Sequence, residues 1–122
     1  MKKKVLVVDD SASIRQQVSM ALRQVGFDVV EAVDGLAGFE TIEKDRTISV
    51  VVCDVNMPRM NGIQMLEKVK AVGKYPNLSV IMLTTEGQPA LIRQAREAGA
   101  KGWMVKPFNA AQLVAVVQKF AA

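Results

Sequence analysis

Five short apolar runs, each cut off by polar residues or followed by an amphipathic stretch, leave this chain few ways to fold. Lys4 to Val8 is β-branched and stops at Asp9-Asp10. Ser49 to Cys53 stops at Asp54, and Ser79 to Leu83 stops at Thr84-Thr85. Val29 to Ala32 is a weaker run. Trp103 to Val105, ended by Lys106, closes the series. Apolar runs without alternation read as strands buried on both faces, the habit of parallel sheets.

The stretches between them carry helical spacing. Ile14, Val18, Leu22 and Val25 recur at four, four and three residues, which predicts one face of a helix. Ser11 or Ser13 caps its start and Gly26 ends it. Leu36, Phe39 and Ile42 mark a second helix after Asp34-Gly35. Ile63, Leu66 and Val69 mark a third, capped by Asn61 and stopped at Gly73. Leu91, Ile92 and Ala95 mark a fourth, with Pro89 in its first turn and Gly99 beyond its end. Leu113, Val116, Val117 and Phe120 mark a fifth after Asn109. Strict strand–helix alternation with short connections predicts an α/β fold, a parallel sheet covered by helices on both faces. At 122 residues the whole chain, 1–122, is expected to form one domain.

Composition removes many kinds of chemistry. There is no histidine, so no Ser-His or Cys-His catalytic pair and no histidine metal site can form. The one cysteine, Cys53, excludes an internal disulfide and suits a reducing cytoplasm. The apolar run after the N-terminal lysines is too short for a signal peptide. No stretch approaches the roughly 18 apolar residues of a membrane span. A soluble, cytoplasmic protein is expected. Net charge is +4, but basic residues are scattered and not interleaved with aromatics, which argues against nucleic-acid binding.

In open parallel sheets, ligands sit beyond the carboxyl ends of the strands. Asp9, Asp10, Asp54, Thr84, Thr85 and Lys106 all follow apolar runs and are expected at that edge. Each has an ordinary use alone: Asp10 caps a helix, Thr84 suits a strand, Lys106 suits a surface. Cys53, one residue before Asp54, faces the core by strand alternation. Their joint placement at separate strand ends is harder to explain as ordinary. Three converging carboxylates repel, and one would stay protonated. A hard divalent cation such as Mg²⁺ relieves this, and Lys106 neutralises the rest as a point charge. Carboxylates, one lysine and a hydroxyl make a site for a phosphoryl group.

Asp9-Asp10 after the first strand, Asp54-Val55-Asn56-Met57-Pro58 after the third, Gly62, Thr84 after the fourth and Lys106-Pro107-Phe108 after the fifth resemble the response-regulator receiver family of two-component signalling. The likeness runs the length of the chain. It implies a flavodoxin-like (βα)5 sandwich with strand order 2-1-3-4-5. It implies that Asp54 is the phosphoacceptor, taking its phosphoryl group from a histidine kinase. Asp10, Asp54 and the Asn56 carbonyl would hold Mg²⁺, with Asp9 helping through a water. Lys106 would pair first with Asp54 and then with a phosphoryl oxygen, and Thr84 would reach that group by its hydroxyl. The Lys106-Pro107 bond is expected to be cis. Trp103 stands where the family's switch aromatic turns inward behind Thr84. The family usually has Tyr or Phe there, and a small Ala at Thr85, so the larger indole is expected to fit inward less easily.

The same resemblance implies a non-enzymatic, monomeric regulator whose output is altered affinity for a target protein. That target would dock on the fourth helix, fifth strand and fifth helix, near Arg93, Lys101, Trp103 and Lys119. Because the sequence stops after the fifth helix, a stand-alone regulator of the chemotaxis kind is preferred. A phosphorelay intermediate that passes phosphate to a histidine phosphotransfer domain is the alternative. Two other classes fit worse. A haloacid-dehalogenase-type phosphohydrolase needs an acid two residues after the nucleophile, where Asn56 stands. A flavodoxin needs a phosphate-binding loop after the first strand, where Asp9-Asp10 stands.

Overall fold

The computed structural model describes residues 3–85 and 89–121. Strands and helices alternate along them: β1 (Lys4–Val8), α1 (Ala12–Gln24), β2 (Asp28–Ala32), α2 (Gly35–Lys44), β3 (Ile48–Cys53), α3 (Gly62–Val72), β4 (Ser79–Thr84), α4 (Pro89–Glu97), β5 (Gly102–Val105) and α5 (Ala110–Ala121). The strands form one parallel sheet in the order β2-β1-β3-β4-β5. The α/β class and the strand order are those expected.

Strand alternation divides the core into two layers. Leu6, Val8, Val51, Cys53, Val80 and Met82 join Phe39, Ile42, Ile63, Met65, Leu66 and Ala95 on the α2–α3–α4 side. Val5, Val7, Val50, Val52, Ile81 and Leu83 join Val18, Leu22, Leu113 and Val117 on the α1–α5 side. Each buried Val, Leu or Ile contributes roughly 1.5–3 kcal/mol relative to exposure, so both layers hold the sheet firmly. Among the described residues no helix is long and apolar enough to cross a membrane.

Side chains fix the helix starts. Ser11, not Ser13, caps α1, accepting from the Ile14 N–H; Ser13 lies inside the helix. Asp34 caps α2 and accepts from the Ala37 N–H. Asn61 and Gln64 form a reciprocal capping box at α3. Pro89 is the first residue of α4, and Asn109 accepts from the Ala111 N–H at the start of α5. Val25 departs from the expected α1 face. It is the C-cap, 47% exposed, because the chain leaves the helix through Gly26 at φ 97°. Thr84 is the buried last residue of β4 rather than the first beyond it, and Thr85 is exposed.

The Candidate phosphoryl and cation site

Two hydrogen bonds prolong the sheet past the last residues of β1 and β3. The Asp9 N–H donates to the Ala32 carbonyl at 3.2 Å, and the Asp54 N–H donates to the Val8 carbonyl at 3.0 Å. These bonds hold Asp9 and Asp54 side by side where the connections leave β1 in opposite directions, the switch point at which open sheets bind ligands. Asp9 and Asp54 are buried, while Asp10 is exposed. One carboxylate oxygen from each of the three lies within 4.8 Å of the others.

Lys106 enters from the far side of β4. Its N–H donates to the Thr84 carbonyl at 2.7 Å, and its peptide bond to Pro107 is cis. Its Nζ lies 2.9 Å from Asp9 Oδ2 and 3.4 Å from Asp54 Oδ2. The lysine thus pairs more closely with Asp9 than with Asp54. The remaining oxygens of both acids are fixed by the backbone. Asp9 Oδ1 accepts from the Ser11 N–H at 2.9 Å, and Asp54 Oδ1 accepts from the Val55 N–H at 2.7 Å. Arg15 secures the floor, its Nη1 donating to the Asp9 carbonyl at 2.6 Å.

The charges do not balance. Burial pushes the Asp54 carboxyl above the usual carboxylate range; Lys106 pulls it back and the Asp9 charge adds to the rise. Burial also opposes charge on Lys106, but its hydrogen bond to Asp9 and the charges of Asp54 and Asp9 outweigh it and raise its pKa. Among the described residues, then, one ammonium meets three carboxylates whose formal charge exceeds its own by two, the complement of a divalent ion. The donors are all oxygen, which suits a hard cation such as Mg²⁺. Cys53 adds no soft ligand: its side chain is fully buried in the α2–α3–α4 layer, and burial raises its thiol pKa far above the ordinary value. The residues present fit the metal.

Of the other expected site residues, Asn56 and Thr84 adjoin the crevice residues, and Trp103 stands three residues before Lys106 on β5. Asn56 is exposed on the loop after Asp54, and Thr84 is buried at the end of β4. Trp103 is half-buried on β5, opposite Met82, and packs against the α2–α3–α4 layer with its indole N–H buried and without a hydrogen-bond partner. A recess of about 40 Å³ beside it is lined by Ile92, Arg96, Ala100 and Lys101.

Sequence reasoning passed over one pair. Arg59 folds back onto Asp34, Nε to Oδ2 at 2.6 Å and Nη2 to Oδ1 at 3.1 Å. The Arg59 hydrogen bond holds the Asp34 carboxyl below the usual range, helped by the Ala37 N–H. The only available hint was Asp34-Gly35 before a helical pattern, a cap signature that says nothing of Arg59.

Comparison with known proteins is consistent with this geometry. A family model described as the response regulator receiver domain matches residues 5–118. A chemotaxis protein CheY homologue of Campylobacter jejuni subsp. jejuni is 41% identical over 107 residues, 87% of this chain and 82% of that protein. Chemotaxis protein CheY-3 of Vibrio cholerae serotype O1 is 40% identical over 111 residues, 90% of this chain and 85% of that protein. Among solved structures, Vibrio cholerae chemotaxis protein CheY4 superimposes with a TM-score of 0.92 at 40% identity, covering 98% of this chain and 99% of that one.

Proposed function

This chain belongs to the response regulator receiver family, and on that premise we propose that it is a Mg²⁺-dependent phosphoacceptor of a two-component system serving chemotaxis. The observation that carries the reading is the charge count of the crevice, where Asp9, Asp10 and Asp54 converge on the single ammonium of Lys106. The chemotaxis context is supported by its similarity to the chemotaxis proteins of Campylobacter jejuni and Vibrio cholerae.

Asp54 is the nucleophile. One of its carboxylate oxygens attacks the phosphorus of a phosphohistidine on the donor kinase. The O–P bond forms as the P–N bond breaks, and the electron pair returns to the departing imidazole. The product is an acyl phosphate on Asp54. Asp10, Asp54 and the Asn56 carbonyl would hold Mg²⁺, with Asp9 alongside; when bound, the ion supplies positive charge to the transferring phosphoryl oxygens. Lys106 gives up part of its pairing with the acids to meet a phosphoryl oxygen. Thr84 closes on the same group through its hydroxyl, and Trp103 turns toward the space behind it. These shifts bias a two-state equilibrium only by the energy with which the phosphoryl group prefers one state. The α4–β5–α5 face, with Arg93, Lys101, Trp103 and Lys119, then changes its affinity for a target protein.

The test uses acetyl phosphate and Mg²⁺ as donor and cofactor, with intact mass and Trp103 fluorescence as readouts. One labile phosphoryl adduct is expected, with quenching or a spectral shift, and both should vanish in Asp54→Asn. An adduct that survives in Asp54→Asn would place the acceptor elsewhere. Stoichiometric phosphorylation without a fluorescence change would remove Trp103 from the switch.

A further inference from the structure

Arg59 is the one non-glycine residue with positive φ among the described residues, at 65°. Arginine has no intrinsic liking for that region, so the surrounding structure must hold it there. The holder is visible. Asp34 receives the guanidinium through both carboxylate oxygens, at 2.6 and 3.1 Å. Its side chain is 4% exposed against 55% for Arg59, so a solvent-facing arginine folds down onto a fixed, buried anion. Asp34 is itself immobilised as the N-cap of α2.

Next to this pair the Gly35 N–H donates to the Met60 carbonyl at 2.9 Å. A Cβ on Gly35 would stand 2.3 Å from the Met60 oxygen, so the loop backbone lies directly on the start of α2. The Gly62 N–H returns to the Val55 carbonyl at 2.9 Å and closes the other end. Residues 55–60 are thus tied to the start of α3 at one end and to the start of α2 at the other. Asn56 lies between the ties.

We propose that the Asp34–Arg59 ion pair is a positioning clamp that holds the 55–60 loop in the conformation used for Mg²⁺ binding. The inference rests on the reading that this loop lends the Asn56 carbonyl to the cation. Neither residue touches the ion; both act through the backbone between them. Outer partners that orient metal ligands typically change metal affinity by about 10–100-fold when removed.

The experiment is a calorimetric titration of the full chain with Mg²⁺ alone, no phosphodonor present. Arg59→Ala, Arg59→Gly and Asp34→Asn are expected to bind about tenfold more weakly, with Arg59→Lys between them and wild type. Because the two side chains act as a unit, the double variant should bind no more weakly than either single one. Amide exchange over residues 56–60 should quicken in the metal-free variants. Arg59→Ala leaves buried Asp34 without its partner and should lower the melting temperature, so each titration is run well below the variant's own melting point, where circular dichroism shows it folded. Arg59→Ala binding within about twofold of wild type, while Asp54→Asn binds far more weakly, would overturn the clamp and spare the site. Arg59→Gly binding like wild type while Arg59→Ala does not would also overturn it, since backbone strain would then be responsible. If Asp54→Asn keeps full affinity, the reading of the crevice fails and the clamp falls with it.

Discussion

Burial works against charge on Asp54 more strongly than any other influence there, and Lys106 only partly offsets it. A carboxyl whose folded pKa exceeds its unfolded value stabilises the fold below the unfolded value, near 4, and loses that contribution as pH rises through the folded one. At neutral pH without metal, charged Asp54 is therefore a cost. Asp54→Asn is expected to melt higher than wild type in EDTA at pH 7, by a few degrees, and to lose that advantage below about pH 4. A melting series against pH checks both the sign and the window. Lys106 carries the opposite risk. Its removal leaves two buried acids without a counter-charge, so Lys106→Ala should lose roughly 2 kcal/mol in EDTA, less than a fully buried pair would. Mg²⁺ should recover part of that loss, read by urea denaturation with and without the ion. The acids and Lys106 were legible in the sequence because each directly follows an apolar run. That Lys106 sits nearer Asp9 than Asp54 was not legible, since it depends on side-chain reach across the sheet. Arg59 was silent for another reason: its identity gives no sign of positive φ, as Gly or Asn would.

The start of α3 has almost no spare room. A Cβ on Gly62 would stand 2.1 Å from the Asp54 carbonyl oxygen and 2.8 Å from Met82 Cε. The methionine could yield, but the backbone oxygen cannot without displacing Asp54 itself. Gly62→Ala is expected to lower stability by about 2 kcal/mol or more and to weaken Mg²⁺ binding with it. Helix α1 offers the reverse case. Ser19 is fully buried and its hydroxyl has no hydrogen-bond partner. Ser19→Ala removes an unpaired polar group and improves helix propensity, so it should gain about 0.5–1 kcal/mol. A raised urea midpoint with unchanged slope would show it; a lowered midpoint would mean the hydroxyl finds a partner in solution. Element identity was readable from period: β-branched runs for strands, four-and-three spacing for helices. Ends were less readable. Ser11 and Ser13 fit the capping pattern equally well on paper, and only the chain's path into α1 selects Ser11.

Across the whole molecule, the ion pairs outside the crevice set the response to acid. Lys4 is the main reason Asp45 is held at about 2, with Thr47 assisting, and Arg59 lowers Asp34 likewise. Depressed carboxyls stabilise above the unfolded pKa, near 4, and lose that contribution as pH falls through the folded values. Lys4→Met is expected to be less stable than wild type by under about 1 kcal/mol at pH 6, because the pair is partly exposed. The gap should narrow as pH falls toward about 2, where Asp45 of the wild type is half protonated, and close only below it; acid unfolding curves would reveal it. The fold class was plain from five repeats of strand then helix. The order β2-β1-β3-β4-β5 was not, because alternation limits the crossovers without choosing among them, and it came from the family resemblance. The switch point between β1 and β3 follows from that order and gives the acids their common crevice.

Reductive trapping tests the phosphoacceptor claim most directly. The protein is exposed to acetyl phosphate, treated with borohydride, which converts an aspartyl phosphate to homoserine, and mapped by peptide mass spectrometry. With Mg²⁺ present, homoserine should appear at position 54 and nowhere else; with EDTA it should disappear. Homoserine at Asp9 or Asp10, or equal conversion at Asp54 with and without the metal, would contradict the charge argument on which the function rests.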